Sequence, residues 1–320
     1  MHPTMRSYAG WLGAWLMAYM CMSTYATSIP FQITPRIVGG NRVTERIPWM
    51  VSMNDPDFEA GDQHYCGGFM LNSEWFMTAA HCVVLYPDVD TFNVSIGILD
   101  RREIDQADPD SQVHSSKIQR HVCHPDFDSK YYINDICLVH LADPVNISAF
   151  AVLNDNTSFP AVGASVWFSG WGVENEHAYT IPFVLRSAET QVVSIADCLA
   201  SHEEATSTNL CTYADGVDAC FSDSGGGVIS ANEVTGSLAQ GIVSGIVSWG
   251  VGCARQDNPA VNTDIVQYLG WLAEVLPRSA YTLASDVDAE GFIRSNVLDT
   301  AESLTDSETL PTRAGQQTGG

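Results

Sequence analysis

Residues 241–250 read GIVSGIVSWG, and residues 164–172 read ASVWFSGWG. Both stretches are short, rich in β-branched or aromatic residues and bounded by small or turn-forming residues, which is typical of strands. Similar runs, separated by Gly, Pro, Asn and Asp, recur through residues 37–262. This spacing predicts an all-β fold of antiparallel barrels or sandwiches, and not a parallel sheet with crossover helices.

The C-terminal part of the chain changes character twice. Residues 262–276, NTDIVQYLGWLAEVL, carry apolar side chains at helical spacing, which predicts a packing helix. From about Ser285 the chain becomes acidic and rich in Ser, Thr and Gly. We expect residues 281–320 to form an acidic, disordered, low-complexity tail.

Composition excludes one class of partner. The chain has 320 residues, of which 45% are hydrophobic, enough for one or two packed cores. Its 38 acidic residues outnumber 14 basic ones, giving a formal net charge of −24 that repels phosphate backbones. We therefore expect no nucleic-acid partner.

The N-terminus predicts secretion. Arg6 precedes an apolar run at residues 11–22, and small or polar residues follow around Ala26. This three-part pattern is typical of a signal peptide, and the run is short for a membrane span. We expect residues 1–26 to be cleaved, leaving an extracellular protein without membrane association; an uncleaved anchor is the alternative.

Cysteines and sequons fit the secretory pathway. Of nine cysteines, Cys21 leaves with the signal, and an even set in a secreted chain indicates disulfides. No CxxC pair occurs, so we expect no metal site. Three sequons, at Asn93, Asn146 and Asn156, predict glycosylation. The remaining cysteines are Cys66, Cys82, Cys123, Cys137, Cys198, Cys211, Cys220 and Cys253.

A candidate nucleophile lies in residues 218–228, DACFSDSGGGV, where Ser224 is followed by glycines. A serine hydroxyl is a poor nucleophile at neutral pH unless a base and an orienting carboxylate accompany it. His81 in the block TAAHC and Asp135 in the block NDICL are candidates for these roles. Each alone is more often structural, whereas together with the serine loop they indicate a catalytic triad.

These blocks resemble the trypsin-like serine peptidases of the chymotrypsin fold. The resemblance covers about residues 36–277 and implies two six-stranded antiparallel β-barrels, a C-terminal helix and an active site in the cleft between the barrels. It implies a peptidase domain at residues 37–280. The matching blocks, in order, are RIVGG (36–40), TAAHC (78–82), NDICL (134–138), SGWG (169–172), DACFSDSGGG (218–227) and VSWGVGC (247–253).

The resemblance assigns roles residue by residue. Ser224 is the expected nucleophile, His81 the general base and Asp135 the group that orients the histidine. The backbone N–H groups of Ser222 and Ser224 are the expected oxyanion hole, and Ser248 is expected to support Asp135.

The RIVGG block implies a zymogen. Cleavage after Arg36 by an activating protease would free the amino group of Ile37, which in this family pairs with the carboxylate corresponding to Asp223. Residues 27–36 are then an activation peptide that leaves after the cut, because they contain no cysteine.

The resemblance also implies a specificity pocket. Asp218 corresponds to the carboxylate that accepts Arg or Lys, so cleavage after Arg, and less well after Lys, is expected. The chain departs from the family pattern at Ser222, Phe221 and Asn262, which put the oxyanion hole and the pocket in doubt, and at one pocket-wall residue, Ala260. The implied substrate-binding residues are Asp218, Ser248, Trp249, Gly250, Gly252 and Ala260.

Disulfide pairing follows from the same resemblance. Val166 and Ser230 stand where a further bridge is frequent in the family, so that bridge is absent. Cys123 and Cys137 are additional and fall on strands that are neighbours in this fold. The implied pairs are Cys66–Cys82, Cys198–Cys211 and Cys220–Cys253, with Cys123–Cys137 as a fourth.

Two alternatives remain open. The acidic loop at residues 99–110 supplies oxygen ligands for calcium, but its spacing matches no binding pattern, so no cofactor is expected. The rival function is a secreted homologue with little or no catalysis that acts as a binding or inhibitory protein. An intact triad and activation site favour a peptidase, expected to be monomeric, that acts on proteins or peptides. The acidic side chains are Asp100, Glu103, Asp105, Asp108 and Asp110.

Overall fold

The computed structural model describes residues 38–58, 63–103, 112–178 and 180–288. The predicted signal peptide, the predicted activation peptide, Ile37 and residues 289–320 of the predicted tail lie outside the described residues. Within the described residues, no helix is both long and apolar enough to cross a bilayer.

The first barrel is closed and follows a two-residue strand, β1 (Asn41–Arg42). Its strands are β2 (Met50–Asn54), β3 (His64–Met70), β4 (Trp75–Thr78), β5 (Asn93–Ile96), β6 (His114–Cys123) and β7 (Cys137–Leu141). They pair antiparallel in the order β2-β3-β4-β7-β6-β5. Phe69, Met77, Ile96 and Leu138 are fully buried, so the apolar runs of the sequence fill this barrel.

The second barrel contains the two stretches quoted first. A two-residue strand, β8 (Val152–Leu153), precedes it. Its strands are β9 (Ser165–Gly170), β10 (Arg186–Val192), β11 (Asn209–Tyr213), β12 (Gly227–Ser230), β13 (Ile242–Trp249) and β14 (Ala260–Asp264). The order β12-β9-β10-β11-β14-β13 is antiparallel, and β13 pairs with β12 to close it. The prediction of two six-stranded antiparallel barrels is confirmed.

In the described part of the chain, helices are few and short. The α-helices are α1 (His81–Val84), α2 (Ile195–Ser201) and α3 (Leu269–Val275). The predicted helix at 262–276 begins late, because residues up to Asp264 belong to β14 and Ile265–Tyr268 form a 3₁₀ turn. Ile265, Tyr268 and Leu272 are buried on the core side of this segment, as their spacing predicted.

The ordered chain continues past residue 280, where the predicted domain boundary lies. Strand β15 (Thr282–Leu283) pairs with β8 in parallel, and β8 in turn pairs with β13. Asp286 accepts the backbone N–H of Leu283 at 2.7 Å and pairs with Arg278 at 2.5 Å. These contacts attach residues 281–288 to the second barrel, so the first part of the predicted tail is packed.

The structure contains the same four disulfides that the resemblance implied. Cys123 and Cys137 face each other directly on β6 and β7, with Cα atoms 3.9 Å apart. Val166 lies on β9 and Ser230 on the neighbouring β12. The two positions of the missing bridge are therefore adjacent.

Candidate active site

Two of the three predicted triad residues, His81 and Ser224, line one cleft of about 630 Å³, and the third, Asp135, is fully buried and hydrogen-bonded to His81. His81 begins α1 and is separated from the end of β4 by Ala79 and Ala80, while Asp135 is separated from the start of β7 by Ile136. Ser224 lies in the loop before β12 of the second barrel. Residues of both barrels line this cleft, so His81 and Ser224 border the same space between the barrels.

Asp135 holds His81 through two hydrogen bonds. Its carboxylate is fully buried and accepts the backbone N–H of His81 at 2.8 Å and ring Nδ1 at 2.7 Å. The hydroxyl of Ser248 donates to the same carboxylate at 2.5 Å. Because the carboxylate can only accept, Nδ1 of the neutral ring bears the proton and Nε2 is left as the basic nitrogen.

The backbone of Ser224 is fixed to both barrels. Its carbonyl oxygen accepts the N–H of Gly67 on β3 at 2.7 Å, and the next residue, Gly225, donates to Val247 on β13 at 2.8 Å. No hydrogen bond joins Ser224 to His81 among the described residues, and Nε2 of His81 lies 3.7 Å from the sulfur of Cys82. Nucleophile–base hydrogen bonds are commonly long in ligand-free sites and shorten when a substrate binds.

Ser222 keeps a backbone conformation that favours glycine, with φ of 75°. Within the described chain, the N–H groups of Ser222 and Ser224 donate to no protein acceptor. The two residues lie on a loop that makes hydrogen bonds to several distant parts of the chain.

One of these contacts comes from His64, which the sequence analysis missed. The ring is buried, its Nε2 lies 2.9 Å from the carbonyl oxygen of Ser222, and its Nδ1 lies 2.7 Å from the hydroxyl of Ser52. Burial, with the nearby charge of Arg101, lowers the pKa of His64 to about 3, so the ring is neutral. Its Nε2–H therefore donates to Ser222. The contact spans 158 residues, and no local pattern signals it.

Asp223 is a buried carboxylate in a space created by two glycines. It accepts the N–H of Gly172 at 2.8 Å and of Cys220 at 2.9 Å. A Cβ at Gly170 or Gly172 would collide with the carboxylate. Burial raises the pKa of Asp223 to about 7, and among the described residues no cation pairs with it.

The chain after the predicted cleavage site lies close to the cleft. The carbonyl of Val38 accepts the N–H of Asp218 at 3.2 Å, and its side chain packs near the Cys220–Cys253 disulfide. Gly39 has φ of 77°, and a Cβ at this position would lie 2.5 Å from the side chain of Val217. Ile37 itself lies outside the residues that the structure describes.

Asp218 supplies the second buried carboxylate of the site. It is 7% exposed, lines the cleft and accepts the N–H of Ala254 at 2.9 Å. Burial raises its pKa to about 6, opposed by backbone N–H groups. Phe221 is 61% exposed at the cleft. The other predicted substrate-binding residues that line this cleft are Ser248, Trp249, Gly250, Gly252 and Ala260.

The acidic loop is only partly described. Asp100 pairs with Arg102, and Glu103 pairs with Arg46 at 2.9 Å, so arginines occupy both described carboxylates. The other three candidate calcium ligands, Asp105, Asp108 and Asp110, lie outside the described residues.

The three sequon asparagines lie in different surroundings. Asn146 and Asn156 are exposed, while Asn93 is half-buried at the start of β5. The first two are therefore accessible to a glycan, and Asn93 is less so.

Two antiparallel barrels with a buried Asp–His pair and a serine in the cleft between them define the serine peptidases of the chymotrypsin fold. The family model described as Trypsin matches residues 37–272, and the chain belongs to the trypsin family. The chain is 32% identical to rat serine protease 1 over 257 residues, which cover 78% of this chain and 94% of that protein. It is 30% identical to pig trypsin over 246 residues, 75% of this chain and 96% of the relative. Bovine anionic trypsin is 32% identical over 256 residues, with coverages of 78% and 94%.

Proposed function

We propose that the protein is a secreted serine endopeptidase, made as an inactive precursor, that hydrolyses peptide bonds after arginine and less well after lysine. The observation that carries the proposal is the Asp135–His81 pair, which leaves Nε2 basic in the cleft that Ser224 lines. Four disulfides support an extracellular site of action.

Hydrolysis proceeds in two steps. The hydroxyl oxygen of Ser224 bonds to the peptide carbonyl carbon, and its proton passes to Nε2 of His81. The oxyanion accepts the N–H groups of Ser222 and Ser224, which the protein leaves unused. The C–N bond then breaks, the leaving amine takes the proton from His81, and water releases the acyl group by the same route in reverse.

Asp218 supports the choice of a cationic side chain. A buried carboxylate without a cation is unfavourable, and a substrate arginine or lysine supplies the missing charge. Ala260, which replaces a glycine in the family pattern, places a methyl group in the cleft wall and leaves less room for water. Lysine reaches less far and depends more on such water than the bidentate arginine side chain.

Asp223 supports activation by cleavage. Its carboxylate is buried without a cationic partner among the described residues, and the chain at Val38 lies beside the Asp218 loop. An ammonium group at Ile37 would supply the partner, and the new pair would stabilise the loop that carries the oxyanion donors.

A fluorophosphonate probe tests this proposal, because it labels only an activated serine. Purified precursor should remain unlabelled until it is cut after Arg36, after which N-terminal sequencing should begin at Ile37. The cut Ser224→Ala protein should stay unlabelled, and Arg36→Gln precursor should resist activation. No labelling of the cut protein would favour the rival, a binding homologue without catalysis, and labelling of Arg36→Gln precursor would remove the zymogen step.

A further inference from the structure

Asn262 carries a buried amide oxygen without a hydrogen-bond partner in the described part of the chain. The residue lies on β14, opposite Leu210 of β11 on one side and Val247 of β13 on the other. Its side chain is fully buried. The amide NH₂ donates to the carbonyl of Leu210 at 2.9 Å and to the hydroxyl of Thr212 at 3.2 Å, while Oδ1 accepts nothing.

The orientation of this amide is fixed. The carbonyl oxygen of Leu210 can only accept a hydrogen bond, so the NH₂ group must face it. Turning the amide over would place Oδ1 against the Leu210 carbonyl oxygen, two acceptors facing each other, and lose that bond. Oδ1 of Asn262 is therefore held in one place with its lone pairs unused, which is unfavourable for a buried polar atom unless a ligand supplies a donor.

Asn262 also lines the same cleft as Asp218 and Ala260. Ala219, next to Asp218, packs against the apolar cluster that contains Leu210 and Val247, the two neighbours of Asn262. The buried, unpartnered hydroxyls of Ser169, Ser230 and Ser244 belong to described residues that do not line the cleft. Asn262 differs from these three serines because it lines the cleft in which a ligand would bind.

The chemistry of the cleft wall favours a ligand with several N–H donors. The carboxylate of Asp218 and Oδ1 of Asn262 are both acceptors, and the Asp218 carboxylate already takes the N–H of Ala254. A guanidinium has five N–H donors spread over a planar fork, whereas an ammonium has three on one atom. A guanidinium can pair with the carboxylate and still present an N–H elsewhere.

We propose that Asn262 is a specificity-determining residue that favours arginine over lysine. Its Oδ1 accepts an N–H of the substrate guanidinium, directly or through one bridging water, while Asp218 balances the charge. A lysine ammonium that reaches Asp218 leaves Oδ1 unpaired. This inference rests on the proposed function, because it assigns specificity at the same site.

Binding of two small cations tests the inference without hydrolysis. Agmatine carries the guanidinium of arginine and cadaverine the ammonium of lysine. Calorimetry with the chain cut after Arg36 and bearing Ser224→Ala gives the ratio of their affinities. Asn262→Leu, which is similar in size and lacks the acceptor, should lower the agmatine preference about tenfold. Asn262→Val is the second variant should the first not fold, and Ser244→Ala is the matched control for loss of a buried polar group away from the cleft.

The outcomes separate this inference from the proposed function. A preference that Asn262→Leu and Asn262→Val leave unchanged, or one that Ser244→Ala lowers equally, would overturn the role of Asn262. Failure of both cations to bind the parent would overturn it too. A loss of the agmatine preference in the Asn262 variants supports the role of Asn262, whether or not the protein hydrolyses peptides. If the protein with Ser224 intact hydrolyses no peptide, only the peptidase proposal is rejected.

Discussion

We predict that Gly172→Ala destabilises the protein, because the absence of a side chain at Gly172 leaves room for the buried carboxylate of Asp223. A methyl group added at Gly172 would lie 2.7 Å from Oδ1 of Asp223 and closer still to its Oδ2 and Cγ, so the carboxylate must move. Movement breaks the hydrogen bonds from Gly172 and Cys220. Each bond to a charged acceptor contributes about 1.5–3 kcal/mol, so we expect the loss of two bonds in Gly172→Ala to lower the free energy of unfolding by about 3–6 kcal/mol.

The double variant Gly172→Ala/Asp223→Ala tests whether displacement of the carboxylate causes the loss of stability. With Asp223→Ala in place the methyl group of Gly172→Ala has no carboxylate to displace, and its cost should fall below about 1 kcal/mol. Urea unfolding of the uncut Arg36→Gln chain gives the four free energies without self-digestion. Gly270→Ala, in α3 with open space around it, is the control and should stabilise by up to about 1 kcal/mol.

Activity gives a second readout of the same substitution. In the cut protein, displacement of Asp223 should disturb the adjoining oxyanion donor at Ser222 and lower kcat on an arginine substrate at least about a hundredfold. Additive free energies in the four-variant cycle, within about 0.5 kcal/mol, would refute the reasoning, because the methyl group would then act independently of the carboxylate.

Three further predictions follow from single features of the site and the fold. Ser222→Gly removes the φ strain at 75° and should stabilise the protein by up to about 1 kcal/mol and raise kcat on arginine substrates; a loss of either would contradict it. Because burial raises the pKa of Asp218 to about 6, agmatine affinity should fall about tenfold per unit below pH 6, a dependence that Asp218→Asn should abolish along with most binding. Replacing Cys123 and Cys137 by alanine opens a loop of sequence separation 14 and should cost about 3 kcal/mol in urea unfolding, whereas a change under about 0.5 kcal/mol would show that this bridge adds little.

Much of the fold could be predicted from the sequence because its signals are local. The runs at 164–172 and 241–250 form β9 and β13. The number of strands and their closure into barrels came from the resemblance, since β-pairing over long separations leaves no local trace. For the same reason β15 was missed: Thr282 and Leu283 are strand residues only because β8 offers them an edge.

The residues of the candidate site also differ in how far the sequence alone reveals them. His81, Asp135 and Ser224 stand in recognisable blocks, so the sequence alone could nominate them as a triad. His64 could not be found, since its importance lies in a hydrogen bond to the carbonyl of Ser222 and not in its neighbours along the chain. Asn262 was seen as a departure from the family pattern, but only the directions of its two donated hydrogen bonds reveal the unpaired oxygen.

The two buried carboxylates each need a cation in the proposed function, one from activation and one from the substrate. Asp218 and Asp223 lie five positions apart in one loop, both have pKa values raised by burial, and the charge of Asp218 raises that of Asp223 further. A group whose pKa is raised on folding contributes stability below its unfolded pKa of about 4, and this stability is lost as pH rises through about 7. At neutral pH the uncut loop therefore carries an unfavourable pair of charges. In the proposed function an ammonium at Ile37 would pair with Asp223 and a substrate guanidinium with Asp218, so each of the two buried charges would have its own cation.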